Sequence, residues 1–524
     1  MIEAFDLSHS LTSCFQGCRR QLRFNTMRAS SVSLFVKLLF VTTSLAAPRW
    51  NDPEQLTTSN FSMGPDGRSK YYNSKTKDFW VNGTAGAIPD VKFNIPESYA
   101  GLLPIGNDDS RQLYFWYFPT TGDSKAEDDL VIWLNGGPGC SSLQGLLQEN
   151  GPFTWKAGTY LPTPNKYTWV NLTNIVYIDQ PVGTGFSQGE PNIHDEAELA
   201  DQFLGFLKNF IDKFDLHKKR LWITGESYAG MYVPYIANAI YTRYTESFNL
   251  KGIMIYDPFI ASDLILDEIP VVPFVERNQA IFNLADSTLA ELKVQADKCG
   301  YTDIYKQGLT FPPMGKLNIT GAKSGRDCSL WSKTASAAVR LNPCFNVYRI
   351  TDTCPSPWDV IKLSGDDFDQ QPDRPKKYFN RPEVQKAINA PIMTDWVLCG
   401  RKDVFPFDDK SEGSAPSGVL SNVIERSERT IVAHGLHDYV LIADGTLIAL
   451  NNMTWHGAQG FTERPSNKFI VPNQGEMGVW REERGLTYIE VKMSGHMVPE
   501  NQPQAAYRHL EYLLGRVANL SSMN

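Results

Sequence analysis

Four uninterrupted apolar runs, each ending in a loop marked by glycine or proline, constrain this chain more than any other feature. They are Leu130-Val-Ile-Trp-Leu134, Ile175-Val-Tyr-Ile178, Leu221-Trp-Ile-Thr224 and Gly252-Ile-Met-Ile255. A strand with one wet face alternates apolar and polar residues. A run without alternation belongs in a sheet covered on both faces, which is the habit of parallel strands. Stretches with helical spacing lie between the runs, such as Glu196 to Phe214 with apolar residues at Leu199, Phe203, Phe206 and Phe210. Strand alternating with helix predicts an α/β chain. The rhythm fades between about 260 and 400, where five cysteines, one N-x-S/T sequon and turns such as Phe311-Pro-Pro collect. It returns at Thr430-Ile-Val-Ala433 and Thr487-Tyr-Ile-Glu-Val491, and an amphipathic helix closes the chain from about Pro503 to Val517. The expected organisation is a core in two parts, 101–258 and 401–524, interrupted by an insertion or cap over 259–400. A polar segment, 47–100, precedes it as a surface wrapping or propeptide remnant.

The 524 residues are 42% hydrophobic and 21% charged, an ordinary globular composition. Net charge is −8, and −11 once the first 46 residues are set aside, since these hold five Lys/Arg against two Asp/Glu. An acidic body without a basic stripe excludes nucleic acid and anionic membrane as partners. Lys218-Lys219-Arg220 reads as a solvated turn. Basic Arg28, the apolar run Val32 to Ala46 and the small residues that end it form a signal-peptide pattern, too short for a membrane span. Residues 1–46 are therefore expected to be a leader cleaved after Ala46, with residues 1–26 expected to be an over-extended reading of the gene and Met27 the more usual start. Beyond the leader, Cys140, Cys299, Cys328, Cys344, Cys354 and Cys399 form an even set that suits disulfides, and no close C-x-x-C pair suggests zinc. Sequons at Asn60, Asn82, Asn171, Asn318, Asn452 and Asn519 add to the picture of a secreted or vacuolar glycoprotein without a membrane anchor.

Gly225-Glu226-Ser227-Tyr228-Ala229-Gly230 sits between the run Leu221–Thr224 and the helix-compatible stretch Met231 to Tyr244. Small residues two before and two after a serine allow the sharp strand-to-helix turn that exposes a nucleophile above a sheet. The bland alternative is a serine capping the helix. A serine nucleophile needs a base oriented by an acid. His496, in Lys492-Met-Ser-Gly-His-Met-Val-Pro499, follows an expected strand on a glycine-introduced loop. Asp438 follows Thr430–Ala433 after a short turn, with Asp444 as competitor. His434 and His437 could instead suggest a metal, but no further ligand cluster accompanies them, so they read as loop residues near the site. Trp133-Leu-Asn-Gly-Gly-Pro-Gly-Cys-Ser-Ser142 is a glycine-rich loop after a strand, suited to oxyanion binding through the N–H groups of Gly137 and Tyr228. No Gly-Lys-Ser/Thr follows, so it is not a phosphate loop.

Together, Asn135-Gly-Gly-Pro-Gly-Cys-Ser-Ser142 through Glu149-Asn-Gly-Pro152, Asp179-Gln-Pro-Val-Gly-Thr-Gly-Phe-Ser187, Gly225–Gly230 and Ser494-Gly-His-Met-Val-Pro499 resemble the serine carboxypeptidases, above all the secreted fungal ones, over roughly residues 65–517. The resemblance implies an α/β-hydrolase fold and removal of C-terminal amino acids from peptides and proteins at acid pH, without cofactor. Ser227, Asp438 and His496 would be the triad, and the family pattern around the acid matches Gly435-Leu-His-Asp438. It also implies that Asn135, the Gly136 N–H, Glu149 and Glu226, supported by Trp133, hold the substrate's terminal carboxylate. Carboxyls facing a carboxylate must share protons, so at least one glutamate is expected to ionise late and peptide affinity to fall as pH rises.

The family further suggests a Cys140–Cys399 disulfide. For the other four cysteines we expect nested pairs, Cys299–Cys354 and Cys328–Cys344. Two departures stand out. Leu441 occupies the position where some members carry a free cysteine, and Tyr256-Asp257-Pro258-Phe259 replaces the family's usual Gly-Asn-Gly. An acyltransferase or esterase on the same scaffold and an inactive secreted binding glycoprotein are the competing readings.

Overall fold

The structure, a computed structural model, describes residues 69–361, 377–400 and 403–523. The expected leader (1–46), the start of the expected wrapping segment (47–68) and the sequon at Asn60 lie outside the described residues. Eleven strands among the described residues form one sheet: β1 (Trp80–Val81), β2 (Ser98–Pro104), β3 (Gln112–Phe118), β4 (Asp129–Leu134), β5 (Asn174–Asp179), β6 (Arg220–Glu226), β7 (Leu250–Tyr256), β8 (Arg429–Gly435), β9 (Asn467–Val471), β10 (Gly475–Glu483) and β11 (Leu486–Val491). Their order in space is β1-β2-β3-β5-β4-β6-β7-β8-β11-β10-β9. The six from β5 to β11 run parallel. Antiparallel strands extend the sheet at both sides. The alternation of runs and helices predicts such an α/β sheet, and its strand order is that of the α/β-hydrolase fold the resemblance implies.

The continuous apolar runs are explained by two cores. Leu130, Ile132 and Leu134 face one, together with Leu199, Phe203, Phe206 and Phe210 of helix α1 (Glu196–Phe214). Val131 and Trp133 face the other. Successive side chains point to opposite faces, so a strand buried on both must be apolar at every position. Helix α2 (Ala229–Arg243) packs on the α1 side, and the closing helix covers the far side through Leu510 and Leu513. That closing helix ends at Leu513, short of the expected Val517, because Gly515 takes a left-handed φ of 71° that ends the helical run. The segment expected to wrap the surface places Trp80–Val81 and Ser98–Ala100 in the sheet itself.

Cys140 is bonded to Cys399, their Cα atoms 3.9 Å apart. The expected nested pairs are corrected: the bonds are Cys299–Cys328 and Cys344–Cys354, with Cα separations of 5.8 and 5.1 Å. Each closes a local loop whose path is fixed by hydrogen bonds. Cys299 ends helix α3 (Asp286–Cys299), and its carbonyl accepts from the Lys323 N–H at 3.0 Å. The Tyr301 hydroxyl contacts the carbonyls of Lys323 (2.9 Å) and Cys328 (3.0 Å), folding that loop back onto the helix end. Asn342 and Asn346 both donate to Asp352, at its carbonyl (3.1 Å) and carboxylate (2.9 Å), which returns Cys354 to Cys344.

Candidate active site

Five strand ends meet along one edge of the sheet. The registers Leu134↔Gly225, Glu226↔Tyr256, Tyr256↔Ala433 and Gly435↔Val491 set the loops after β4, β6, β7, β8 and β11 side by side. Open α/β sheets present ligand sites at such carboxyl ends.

Ser227 follows β6 directly with φ 63°, a left-handed conformation that serine rarely adopts. Its N–H donates to the Tyr256 carbonyl (3.0 Å), and its carbonyl accepts from Gly230 and Phe259 (2.9 Å each). A Cβ on Gly225 would sit 2.4 Å from the Leu134 oxygen and 2.7 Å from the Ala229 Cβ, so small flanking residues are a steric requirement of the turn. Helix α2 starts without a side-chain cap. A Cβ on Gly136 would lie 2.3 Å from the Tyr228 nitrogen and 2.9 Å from the Ser227 Cβ, so the glycine-rich loop runs against the nucleophile turn. Gly137, with φ 115°, is next in that loop. The Tyr228 ring stacks on Phe259, and its hydroxyl donates to Asp409.

His496 and Asp438 are buried and joined, Nδ1 to Oδ2, at 2.7 Å. The other Asp438 oxygen accepts from the N–H groups of Val440 (2.9 Å) and Leu441 (3.2 Å). Burial alone would raise this carboxyl; the charge of His496, its hydrogen bond and the His434 ring 3.6 Å away outweigh it and hold it below the ordinary range. His496 Nε2 is buried without a hydrogen-bond partner. The loop carrying His496 is held by its N–H to the Tyr348 carbonyl, 2.8 Å. The competitor Asp444 is engaged elsewhere, with Arg277 at 2.7 Å, the Tyr305 hydroxyl at 2.6 Å and Arg464 at 3.3 Å.

Beside this pair lies a buried polar network. The Trp133 indole N–H donates to Asn135 Oδ1 at 2.8 Å, and the Gly145 N–H adds a second bond at 3.2 Å. An indole can only donate, so the amide orientation is fixed and Asn135 Nδ2 must face Glu226, whose Oε1 it reaches at 2.8 Å. Glu149, on the short helical turn Gly145–Asn150, is buried against Glu226. Burial, then the Glu226 charge, pushes Glu149 well up; burial likewise raises Glu226. Two adjacent buried carboxyls favour a shared proton over two anions. The sequons at Asn82 and Asn318 are exposed, each Oδ1 accepting from its own threonine hydroxyl at 2.8 and 2.7 Å. Those at Asn171, Asn452 and Asn519 are partly buried.

The family described as serine carboxypeptidase matches residues 89–516. The chain belongs to the serine carboxypeptidase family. It is 48% identical over 475 residues to a probable serine carboxypeptidase of Arthroderma benhamiae, covering 86% of this chain and 88% of the relative. It is 43% identical to the serine-type carboxypeptidase F of Aspergillus niger, covering 85% and 88%. A solved prohormone-processing carboxypeptidase from Saccharomyces cerevisiae shares the fold, with a TM-score of 0.65 at 23% identity over 85% of this chain and 98% of that one. This protein is thus a serine carboxypeptidase, a hydrolase of the α/β class.

Within the carboxypeptidase, the two departures noted in the sequence both fall at the acid. Leu441 is buried, and its carbonyl lies 2.8 Å from His434 Nε2. Asp257 is buried beside Asp438: among the described residues, the ligand-type atoms of Asp257, Asp438 and His496 all lie within 4.8 Å of one another. Sequence reasoning assigned Asp257 no role. The available signal was a lone acid directly after the apolar run 252–256, at the same sheet edge as the serine. His437 stands apart, its N–H donating to the Ser494 carbonyl at 2.7 Å.

Proposed function

We propose that Ser227 attacks the scissile carbonyl while His496 takes its proton through Nε2 and Asp438 holds the imidazolium that forms. The N–H groups of Gly137 and Tyr228 receive the oxyanion. His496 then protonates the departing amino acid, and water repeats the cycle on the acyl-enzyme. Asn135, the Gly136 N–H, Glu149 and Glu226, braced by Trp133, bind the free carboxylate that marks a C-terminus. The observation that carries this reading is the contact of two built networks at one point. Gly136 touches Tyr228, Ser227 and the Glu226 carbonyl, so the carboxylate site sits one residue from the nucleophile. That spacing suits cleavage of the last peptide bond. A protonated glutamate donates to the substrate carboxylate; above its ionisation the same group repels it, so peptide hydrolysis favours acid pH.

Secretion or vacuolar delivery as a glycoprotein is supported by the leader pattern and the exposed sequons. No helix among the described residues is long and apolar enough to cross a membrane. The insertion expected over 259–400 serves as the cap over the strand ends.

Matched N-blocked dipeptides, one with a free C-terminus and one amidated, test the whole reading at mildly acid and neutral pH. The free acid is cleaved fastest at acid pH, and Ser227→Ala abolishes release. Equal cleavage of the amide would remove the carboxylate site and leave an esterase or amidase; residual wild-type rate in Ser227→Ala would remove the nucleophile.

A further inference from the structure

Asp257 follows β7 as Ser227 follows β6, and no step above uses it. It is fully buried, with φ 41°. Its Oδ1 accepts from the Gly435 N–H at 2.8 Å, and its Oδ2 has no donor. His434 Nε2 lies 3.3 Å from Asp257 Oδ1 and 3.6 Å from Asp438 Oδ2, but only 2.8 Å from the Leu441 carbonyl. A carbonyl can only accept, so Nε2 carries the hydrogen. His434 Nδ1 is buried without a partner, and a hydrogen there would be an unsatisfied donor. His434 therefore spends its Nε2 hydrogen on Leu441 and makes only the longer contacts to either acid.

Two buried carboxyls thus have one imidazole, His496, hydrogen-bonded directly to them, through Asp438 Oδ2 at 2.7 Å. Both cannot be anions without an uncompensated buried charge. Asp438 collects the Val440, Leu441 and His496 donors, whereas Asp257 has the Gly435 donor alone, so the charge belongs on Asp438 and the proton on Asp257 Oδ2. We infer that Asp257 is a positioning residue that, as a neutral acid, donates a hydrogen bond to Asp438 and so weakens the grip of Asp438 on the imidazolium of His496. Burial, then the Asp438 charge, raises Asp257 well above the ordinary range, consistent with this placement. Glu226 adds a like charge to the same side when ionised, and the Tyr256 and Tyr488 hydroxyls are neutral neighbours. A donor to Asp438 lets His496 shed its proton at lower pH, which an enzyme working in acid requires.

The inference rests on the triad assigned above, and the test separates the two. The pH dependence of inactivation by a fluorophosphonate reads the serine and its base without involving the substrate carboxylate. Labelling of the wild type that is absent in Ser227→Ala upholds the triad; no labelling of the wild type would sink that reading on its own. Given labelling, Asp257→Asn retains a neutral donor, so the acid limb of the profile stays where the wild type has it, whatever the absolute rate. Asp257→Ala removes the donor and moves the limb to higher pH by roughly half to one unit. A limb that moves to lower pH in Asp257→Asn means the native Asp257 is charged, and the inference fails. A folded Asp257→Ala with an unmoved limb also overturns it. Should alanine not fold at this left-handed position, the asparagine limb alone decides.

Discussion

Glu149 and Glu226 can be told apart from ordinary buried acids by what glutamine would do in their place. Asn135 presents its amide to Glu226, leaving Glu149 and the second Glu226 oxygen without donors from the protein. A carboxyl in that position is useful only while protonated, because the incoming ligand is itself an anion. Glutamine donates at every pH. Replacing both glutamates by glutamine is therefore expected to flatten the rise of KM with pH for a free-acid peptide, while kcat changes less. A double variant that keeps the wild-type slope would place the reader elsewhere. At this scale the sequence was most legible where sterics and spacing coincide. Ser227 announces itself because its flanking positions must be small, whereas Asp257 does not, since a single acid after a strand looks like a loop residue until the β8 loop is folded against it.

The central strands follow the same logic one level up. β4, β5, β6, β7 and β8 are readable because burial on both faces forbids polar interruptions. β10, next to the edge strand β9, is half exposed, with Met477, Val479 and Trp480 set among Glu476, Arg481, Glu482 and Glu483, so no apolar run marks it. Disulfide pairing was illegible for another reason: it depends on how loops turn back, which Tyr301, Asn342 and Asn346 decide through hydrogen bonds invisible in cysteine spacing. The end of the sheet opposite the site has its own fastening. Asp129, at the start of β4, is wholly buried and joins Arg220 of β6 (2.8 Å), the Trp222 indole (2.8 Å) and Arg516 after the closing helix (2.6 Å). Asp129→Ala leaves three donors, two of them charged, without a partner. It is expected to cost about 3 kcal/mol, read as a lower denaturant midpoint, with KM unaltered because the site lies at the other strand ends. An unchanged midpoint would show that solvent replaces Asp129 freely.

Taken over the whole molecule, the buried acids make stability itself depend on pH in an uncommon direction. Burial raises Glu490 and Glu500 to about 7, and raises Glu149, Glu226, Glu196 and Asp257 as well. In the unfolded chain these groups ionise near the ordinary values of about 4. Between about 4 and about 7 the folded protein therefore binds protons that the unfolded chain has lost. Stability then falls with rising pH across that window, since the unfolded state carries fewer protons. The opposite contribution comes from groups held low in the fold, such as Asp438 and the ion-paired Glu483 and Glu476, and it is lost only when the pH drops below the ordinary carboxylate range. The thermal midpoint should thus peak in mild acid and decline towards neutrality, with protons released on unfolding near pH 6. A midpoint that rises from mild acid to neutral pH would contradict this sum. If it holds, the protons that let Glu149 and Glu226 read a C-terminus and let Asp257 temper Asp438 belong to the same set that keeps the sheet and its loops folded. Neutral conditions would then weaken the carboxypeptidase twice, first in substrate affinity and then in the scaffold.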